Sequence, residues 1–217
     1  MANPPNYARE MEAVLARLAP QGGQKPRLLL HACCGPCSSA VLEQLLAHFE
    51  VTILYYNPNI WLAAEYRRRG DELERFAAAF APAVQVVEGE YDTGRYYETV
   101  AGLEAEPERG GRCTVCYRMR MEEAARYAAA HGFDWFCTTL SISPHKDAAR
   151  INAIGQELEA QYGVRHLPND FKKKNGYKRS LELSAEYGLY RQDYCGCEFS
   201  ARRAAKEEAP DGPAGTV

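Results

Sequence analysis

Arg27-Leu28-Leu29-Leu30-His31-Ala32-Cys33-Cys34-Gly35-Pro36-Cys37-Ser38-Ser39-Ala40-Val41-Leu42 is the stretch that decides the fold of this chain. The apolar run from Leu28 to His31 is too short for a helix and reads as a buried strand. Ser38 and Ser39 then open a helix that runs to His48. The same alternation continues downstream. Val51 to Tyr56 reads as strand, Leu62 to Phe80 as a long Arg- and Glu-rich helix, Val84 to Val87 as strand and Thr93 to Glu104 as helix. A helix from Tyr117 to His131, a strand from Phe133 to Thr139, a helix from Asp147 to Tyr162 and a short strand from Val164 to Leu167 follow, with further helix and loop beyond. Repeated strand-helix units build a parallel, Rossmann-like α/β sheet. Such sheets hold ligands beyond the carboxyl ends of their strands, where the strand order reverses. Cys33, Cys34 and Cys37 follow the first strand at that edge, at a helix start whose unpaired N–H groups and dipole favour thiolate.

Seven of the eight cysteines fall into tight groups: Cys33, Cys34 and Cys37; Cys113 and Cys116 in Cys-Thr-Val-Cys; Cys195 and Cys197 in Asp-Tyr-Cys-Gly-Cys. Thiolates this close repel one another and oxidise readily, so a metal or a disulfide is expected to absorb the cost. A [4Fe-4S] cluster takes about four thiolates, and pairs from separate loops can cage it. Cys33 and Cys34 with Cys113 and Cys116 supply such a set. Tetrahedral zinc suits Cys113 and Cys116 equally well, but adjacent Cys33 and Cys34 suit it less, which favours iron-sulfur. Cys37 is an extra thiol, open as a ligand to a second iron, a reserve ligand or a packed residue. Cys195 and Cys197 have the spacing of a labile redox disulfide, with two further metal ligands as the alternative. Cys137, alone in an apolar strand, reads as core packing.

At 217 residues, 46% hydrophobic and with a formal charge of -3, the chain suits one α/β domain over residues 25–205. Residues 1–24 read as an accessory segment with a helix from Tyr7 to Leu18, and residues 206–217 as a disordered tail. No signal-peptide pattern and no membrane-length apolar run is present, so a cytoplasmic protein with no membrane partner is expected. In a reducing cytosol clustered cysteines argue for metal or redox chemistry. No phosphate-binding loop of the Walker type and no G-x-G-x-x-G opens a helix, so a nucleotide cofactor has no direct support.

The run Asp170-Phe-Lys-Lys-Lys-Asn-Gly-Tyr-Lys-Arg179 offers Lys172, Lys173, Lys174, Lys178 and Arg179 to phosphates, with Phe171 or Tyr177 placed to stack an unpaired base. A solvated charged face is the plainer reading. Arg67, Arg68 and Arg69 read as the exposed face of their helix, and His31 as a satisfied core histidine. His145 and Lys146 follow a strand end and are expected to face the site. Asp193 is a candidate proton donor or metal ligand, with an exposed loop carboxylate as the alternative.

Several blocks resemble the QueH family of epoxyqueuosine reductases: His31-Ala-Cys-Cys-Gly-Pro-Cys37, Tyr56-Asn-Pro-Asn-Ile60 with Glu65-Tyr66, Arg112-Cys-x-x-Cys-Tyr-Arg118, Ser141-Ile-Ser-Pro-His-Lys146, and Asp170-Phe-Lys-Lys through Tyr190-Arg-Gln-Asp-Tyr-Cys-Gly-Cys197. The likeness spans residues 27 to 200. It implies a sheet of the adenine-nucleotide alpha-hydrolase type and the last step of queuosine biosynthesis: deoxygenation of epoxyqueuosine at the wobble position of tRNAs with a GUN anticodon. It further implies a cluster on Cys33, Cys34, Cys113 and Cys116, a redox-active pair at Cys195 and Cys197, and an external electron donor. A second iron beside the cluster stays open. The competing expectations are an iron-sulfur tRNA sulfur-transfer enzyme, a cluster-bearing redox sensor, and a zinc-stabilised RNA-binding protein.

Overall fold

The computed structural model describes residues 5–18 and 24–201, so the expected tail at 206–217 lies outside the described residues. Five parallel strands, β1 (Arg27–Ala32), β2 (Glu50–Tyr55), β3 (Gln85–Glu88), β4 (Trp135–Thr138) and β5 (Arg165–His166), lie in the order β3-β2-β1-β4-β5. The chain works outward from β1 to β3 and then returns to the other side of β1, so the order reverses between β1 and β4. Parallel strands need a crossover between them, and the helices supply it. The helices are α1 (Tyr7–Leu18), α2 (Gly35–Leu45), α3 (Ala63–Phe80), α4 (Thr93–Val100), α5 (Gly111–Ala130), α6 (Ala148–Tyr162) and α7 (Gly176–Glu186), with a 3-10 turn at Thr139–Ile142; α2 to α6 form the crossovers, whereas α1 precedes β1 and α7 follows β5.

Side-chain alternation along β1 shows why both faces are covered. Leu28 and Leu30 join Leu42, Phe76 and Phe171 in one core cluster, whereas Leu29 joins Met121, Ala125, Ile151 and Leu158 in the other. Helices α2 and α3 therefore cover one face and α5 and α6 the opposite one. Met11 and Leu15 of α1 reach the first cluster, so the N-terminal helix packs on the same core. Each fully buried leucine contributes about 1.5–3 kcal/mol.

Two helix starts differ from expectation, and both matter for the site. Helix α2 opens at Gly35, not at Ser38: Cys34 holds the N-cap backbone position without a side-chain cap, and Pro36 sits in the first turn. Proline's fixed φ and missing N–H suit that turn. Ser38 and Ser39 instead donate back to the carbonyls of Cys34 and Pro36. Helix α5 opens at Gly111 rather than at Tyr117, which places Cys113 and Cys116 inside the helix. There Cys113, Cys116, Tyr117 and Arg120 fall at i, i+3, i+4 and i+7 and share one face.

Candidate active site

The loop after β1 and the turn after β4 meet where the strand order reverses. Cys33 Sγ lies 3.8 Å from Thr139 Oγ1 there. Cys33, Cys34 and Cys37 bring their sulfurs within 4.8 Å of one another, and among the described residues they form the group with metal-ligand spacing. His31 beneath them is fully buried and satisfied, Nδ1 against Thr138 Oγ1 and Nε2 against the carbonyl of Tyr56. Burial lowers its pKa to about 4, so it stays neutral and structural.

The three thiols do not share protons equally. Hydrogen bonds from Cys34 and Cys37, aided by the charge of Arg120, hold Cys33 well below the usual thiol range. Donation to Cys33 in turn pushes Cys34 up to about 12 and Cys37 well above its ordinary value. Cys33 is thus the thiol of the three that ionises most readily, and a soft cation binding the trio would displace the remaining protons. Gln192 donates from Nε2 to Cys34 Sγ at 3.0 Å.

A cavity of about 470 Å³ opens beside this trio, lined by Cys33, Cys37, Arg120, Lys146, Tyr177 and Cys195, among others. That volume suits a nucleoside-sized ligand. Asp193 and His145 are exposed on its wall. Lys146 Nζ donates to Cys195 Sγ at 2.9 Å. Burial opposes ionisation of Cys195, but Lys146 and Arg120 outweigh it and lower the thiol. Cys197, buried among Tyr96, Val100 and Met119, is pushed up to about 12. Cys113 is half-buried and accepts the backbone N–H of Arg109 at 3.2 Å, while burial raises Cys116. All eight cysteines are free thiols, and Cys137 is buried in the core as expected.

The Cys195-Gly196-Cys197 turn is held from α3. Arg69 binds Glu65 Oε1 at 2.7 Å and donates to the carbonyls of Cys195 and Tyr194 at 3.2 and 3.5 Å. Gly196 adopts φ +106, and a Cβ there would meet Ile60 Cγ1 at 2.9 Å and Arg69 Nη1 at 3.0 Å. Only glycine suits that backbone at that distance.

Three expectations need correction. Arg69 is not on an exposed face: it is 1% exposed, because the stripe Tyr66, Arg69, Leu73, Phe76 is the face that α3 buries. Phe171 cannot stack a base, since it is buried in the core beside Leu28 and Leu42; Tyr177 keeps a place on the cavity wall. The basic run is largely neutralised: Lys172 pairs with Asp170, Lys174 with Glu12, and Arg179 with Glu43 and Glu182. Arg120 and Gln192 are residues that motif reading missed. Arg120 was legible in principle, because it lies one turn beyond Cys116 on the cysteine face of α5. It is 1% exposed, donates to the carbonyl of Cys116 and to Asn57 Oδ1, and leaves Nη2 unpartnered.

Fold and site together define a thiol-bearing α/β protein with its chemistry at the switch point of a parallel sheet. Comparison with known proteins makes the class specific. A model of the family "Epoxyqueuosine reductase QueH" matches residues 28–203. Proteins of that name are 41% identical in Streptococcus pyogenes serotype M1, over 91% of this chain and 78% of the relative, and 42% identical in Haemophilus influenzae, over 86% and 76%. The relative from Thermotoga maritima is 34% identical, over 84% of this chain and 94% of its own. The chain belongs to the epoxyqueuosine reductase QueH family and is an oxidoreductase. Its fold is similar to that of the U34-tRNA thiolase NcsA from Methanococcus maripaludis, solved with its [4Fe-4S] cluster, at a TM-score of 0.50 and 13% identity over 92% of this chain and 71% of that one. The parallel sheet is the expected one, and the family match disfavours the sulfur-transfer, sensor and zinc-module alternatives. Among the described residues no helix is long and apolar enough to cross a membrane.

Proposed function

We propose that this epoxyqueuosine reductase takes the modified nucleoside at the wobble position of a GUN-anticodon tRNA into the 470 Å³ cavity and removes its epoxide oxygen, leaving an alkene. The overall step consumes two electrons and two protons and releases water. The observation that carries the reading is that one cavity collects Cys33 and Cys195 with the cations Arg120 and Lys146. Among side chains only a dithiol supplies two electrons, so the reaction needs a thiol pair or a bound redox group.

The donor set fits an iron-sulfur cluster: the three soft sulfurs of Cys33, Cys34 and Cys37 already lie within 4.8 Å of one another, and neighbouring donors lower the Cys33 thiol. We assign the ligands as Cys33 and Cys34 with Cys113 and Cys116, and leave Cys37 as a ligand to a second iron, a reserve ligand or a packed residue. When bound, the cluster would supply one-electron transfer and a Lewis-acidic iron. Arg120, buried among Cys33, Cys116 and Cys195, offsets the negative charge of the assembled thiolates. Cys195 and Cys197 act as a dithiol that yields two electrons on closing to a disulfide, and an external reductant reopens it. Asp193 or His145, both exposed on the wall, is placed to deliver a proton to the departing oxygen. Tyr177 offers a stacking face to a base.

The test is anaerobic incubation of the iron-loaded chain with epoxyqueuosine-containing tRNA and a strong reductant, then mass analysis of the nucleosides. Loss of one oxygen from the modified nucleoside is expected; unchanged nucleosides would overturn the proposal. Cys195→Ser and Cys197→Ser should keep the parent's iron and lose turnover. Loss of about a quarter or more of the iron, as removal of one cluster ligand causes, would move the pair into the metal site.

A further inference from the structure

Two sulfurs two residues apart in the Cys195-Gly196-Cys197 turn have opposite surroundings. Cys197 is 8% exposed and packs against Tyr96, Val100, Cys116 and Met119. Cys195 is partly buried and lies on the cavity wall. The groups that face it come from four elements: Lys146 from the segment before α6, Arg120, Cys116 and Tyr117 from α5, Cys33 from the loop after β1, and Tyr96 from α4, with Cys197 in its own turn. Arg120 serves several of these groups at once, through bonds to the carbonyl of Cys116 and to Asn57. Lys146 differs. Its ammonium sits 2.9 Å from Cys195 Sγ, over the ring of Tyr117 at 5.5 Å, and is a directed donor to that one sulfur.

We propose that Lys146 is the positioning residue of the redox pair: its ammonium grips Cys195 Sγ at the cavity wall, which makes Cys195 the exchanging sulfur and Cys197 the resolving one. This rests on the reading of Cys195 and Cys197 as a redox pair. The exchange balances in two steps. The Cys195 thiolate attacks an outside disulfide RSSR, forming Cys195–S–S–R and releasing RS⁻. The Cys197 thiol then attacks the Cys195 sulfur, releasing the second RS⁻ and a proton and closing the intrachain disulfide. The dithiol has lost two electrons and RSSR has gained them, and an external dithiol runs the same steps backwards to recharge the enzyme.

The test labels the anaerobically purified, iron-loaded full chain with limiting iodoacetamide from pH 5 to 10 and maps Cys195 and Cys197 by peptide mass analysis. Cys195 is expected to label first. A cation within about 4–6 Å moves such a group by about 1–3 pH units, so Lys146→Met should slow Cys195 labelling at pH 7 about tenfold or more and raise the midpoint of its pH–rate curve. Lys146→Arg, which keeps the charge, should restore most of both. Cys137, 1% exposed, is the internal check on folding and should stay unlabelled throughout. If the methionine variant exposes Cys137, Lys146→Gln takes its place with the same two outcomes. Labelling of Cys197 ahead of Cys195, or a parent-like rate and midpoint without the lysine charge, would overturn the proposal. The experiment needs neither tRNA nor turnover. Its failure leaves epoxide reduction standing, whereas iron loss from Cys195→Ser removes the redox pair itself.

Discussion

Replacing Arg69 with methionine removes the clamp that joins α3 to the Cys195 turn. Arg69 and Glu65 have side-chain exposures of 1% and 10%, and their Nε–Oε1 distance is 2.7 Å. Taking one partner from a buried pair strands the other charge, at a cost of about 3–5 kcal/mol. The hydroxyl of Tyr190, 3.3 Å from both Glu65 oxygens, offsets a fraction of that cost. The freed carbonyls of Cys195 and Tyr194 lie at the edge of the cavity and regain water, so their long bonds to Arg69 add little. Arg69→Met should therefore lower unfolding stability by about 3 kcal/mol, the lower end of that range, in urea titration of the anaerobic iron-loaded protein. The stranded carboxylate is the main term, so neutralising it should restore stability. Arg69→Met with Glu65→Gln should recover about 1–2 kcal/mol relative to the sum of the single variants, because the two sites share one interaction. Strict additivity in that cycle, or a loss below about 1 kcal/mol in Arg69→Met, would refute the clamp, since surface ion pairs are worth that little.

Anaerobically purified protein should be brown with about four irons per chain and a visible absorbance that dithionite bleaches; alanine at Cys33, Cys34, Cys113 or Cys116 should remove most of that colour, and a variant at Cys37 that does the same would enlarge the ligand set. Because Lys172, Lys174 and Arg179 are already paired with carboxylates, Lys173→Ala with Lys178→Ala should flatten the salt dependence of tRNA binding by about 1.5 log units per log unit of salt; an unchanged slope returns the segment to a solvated face. His31 and His166 are buried and neutral, with folded-state values lowered from 6.5 to about 4 and about 3. The unfolded chain therefore binds protons there that the folded chain refuses, so their contribution is full above about pH 6.5 and falls as pH drops toward about 4 at roughly 1.4 kcal/mol per unit per histidine. His166→Leu should about halve that slope between pH 6.5 and 5 in urea titrations; an unaltered slope would place the titration elsewhere.

What the amino-acid sequence determines on its own is whatever depends on near neighbours. Strand-length apolar runs alternating with helical periodicity specify the parallel α/β class, and the structure has β1 and α1 where those patterns place them. Paired thiols at short spacing likewise announce sulfur chemistry without any knowledge of the fold. Helix starts are weaker signals: a Gly-Pro pair suits the first turn of α2 as well as it suits a loop, and α5 begins in a Gly-Gly stretch with no side-chain cap. Tertiary structure decides which of these groups meet. Lys146 reaches Cys195 across 49 positions, Arg69 reaches it across 126, and Gln192 reaches Cys34 across 158. No periodicity in the chain records such pairings. They follow from the strand order that places β4 beside β1, so that one loop edge of the sheet gathers the thiols, the cations and the cavity between them. The same closure buries Phe171 and Arg69, two residues whose local context reads as surface, because burial is fixed by the face an element turns to its neighbours and not by the side chain alone.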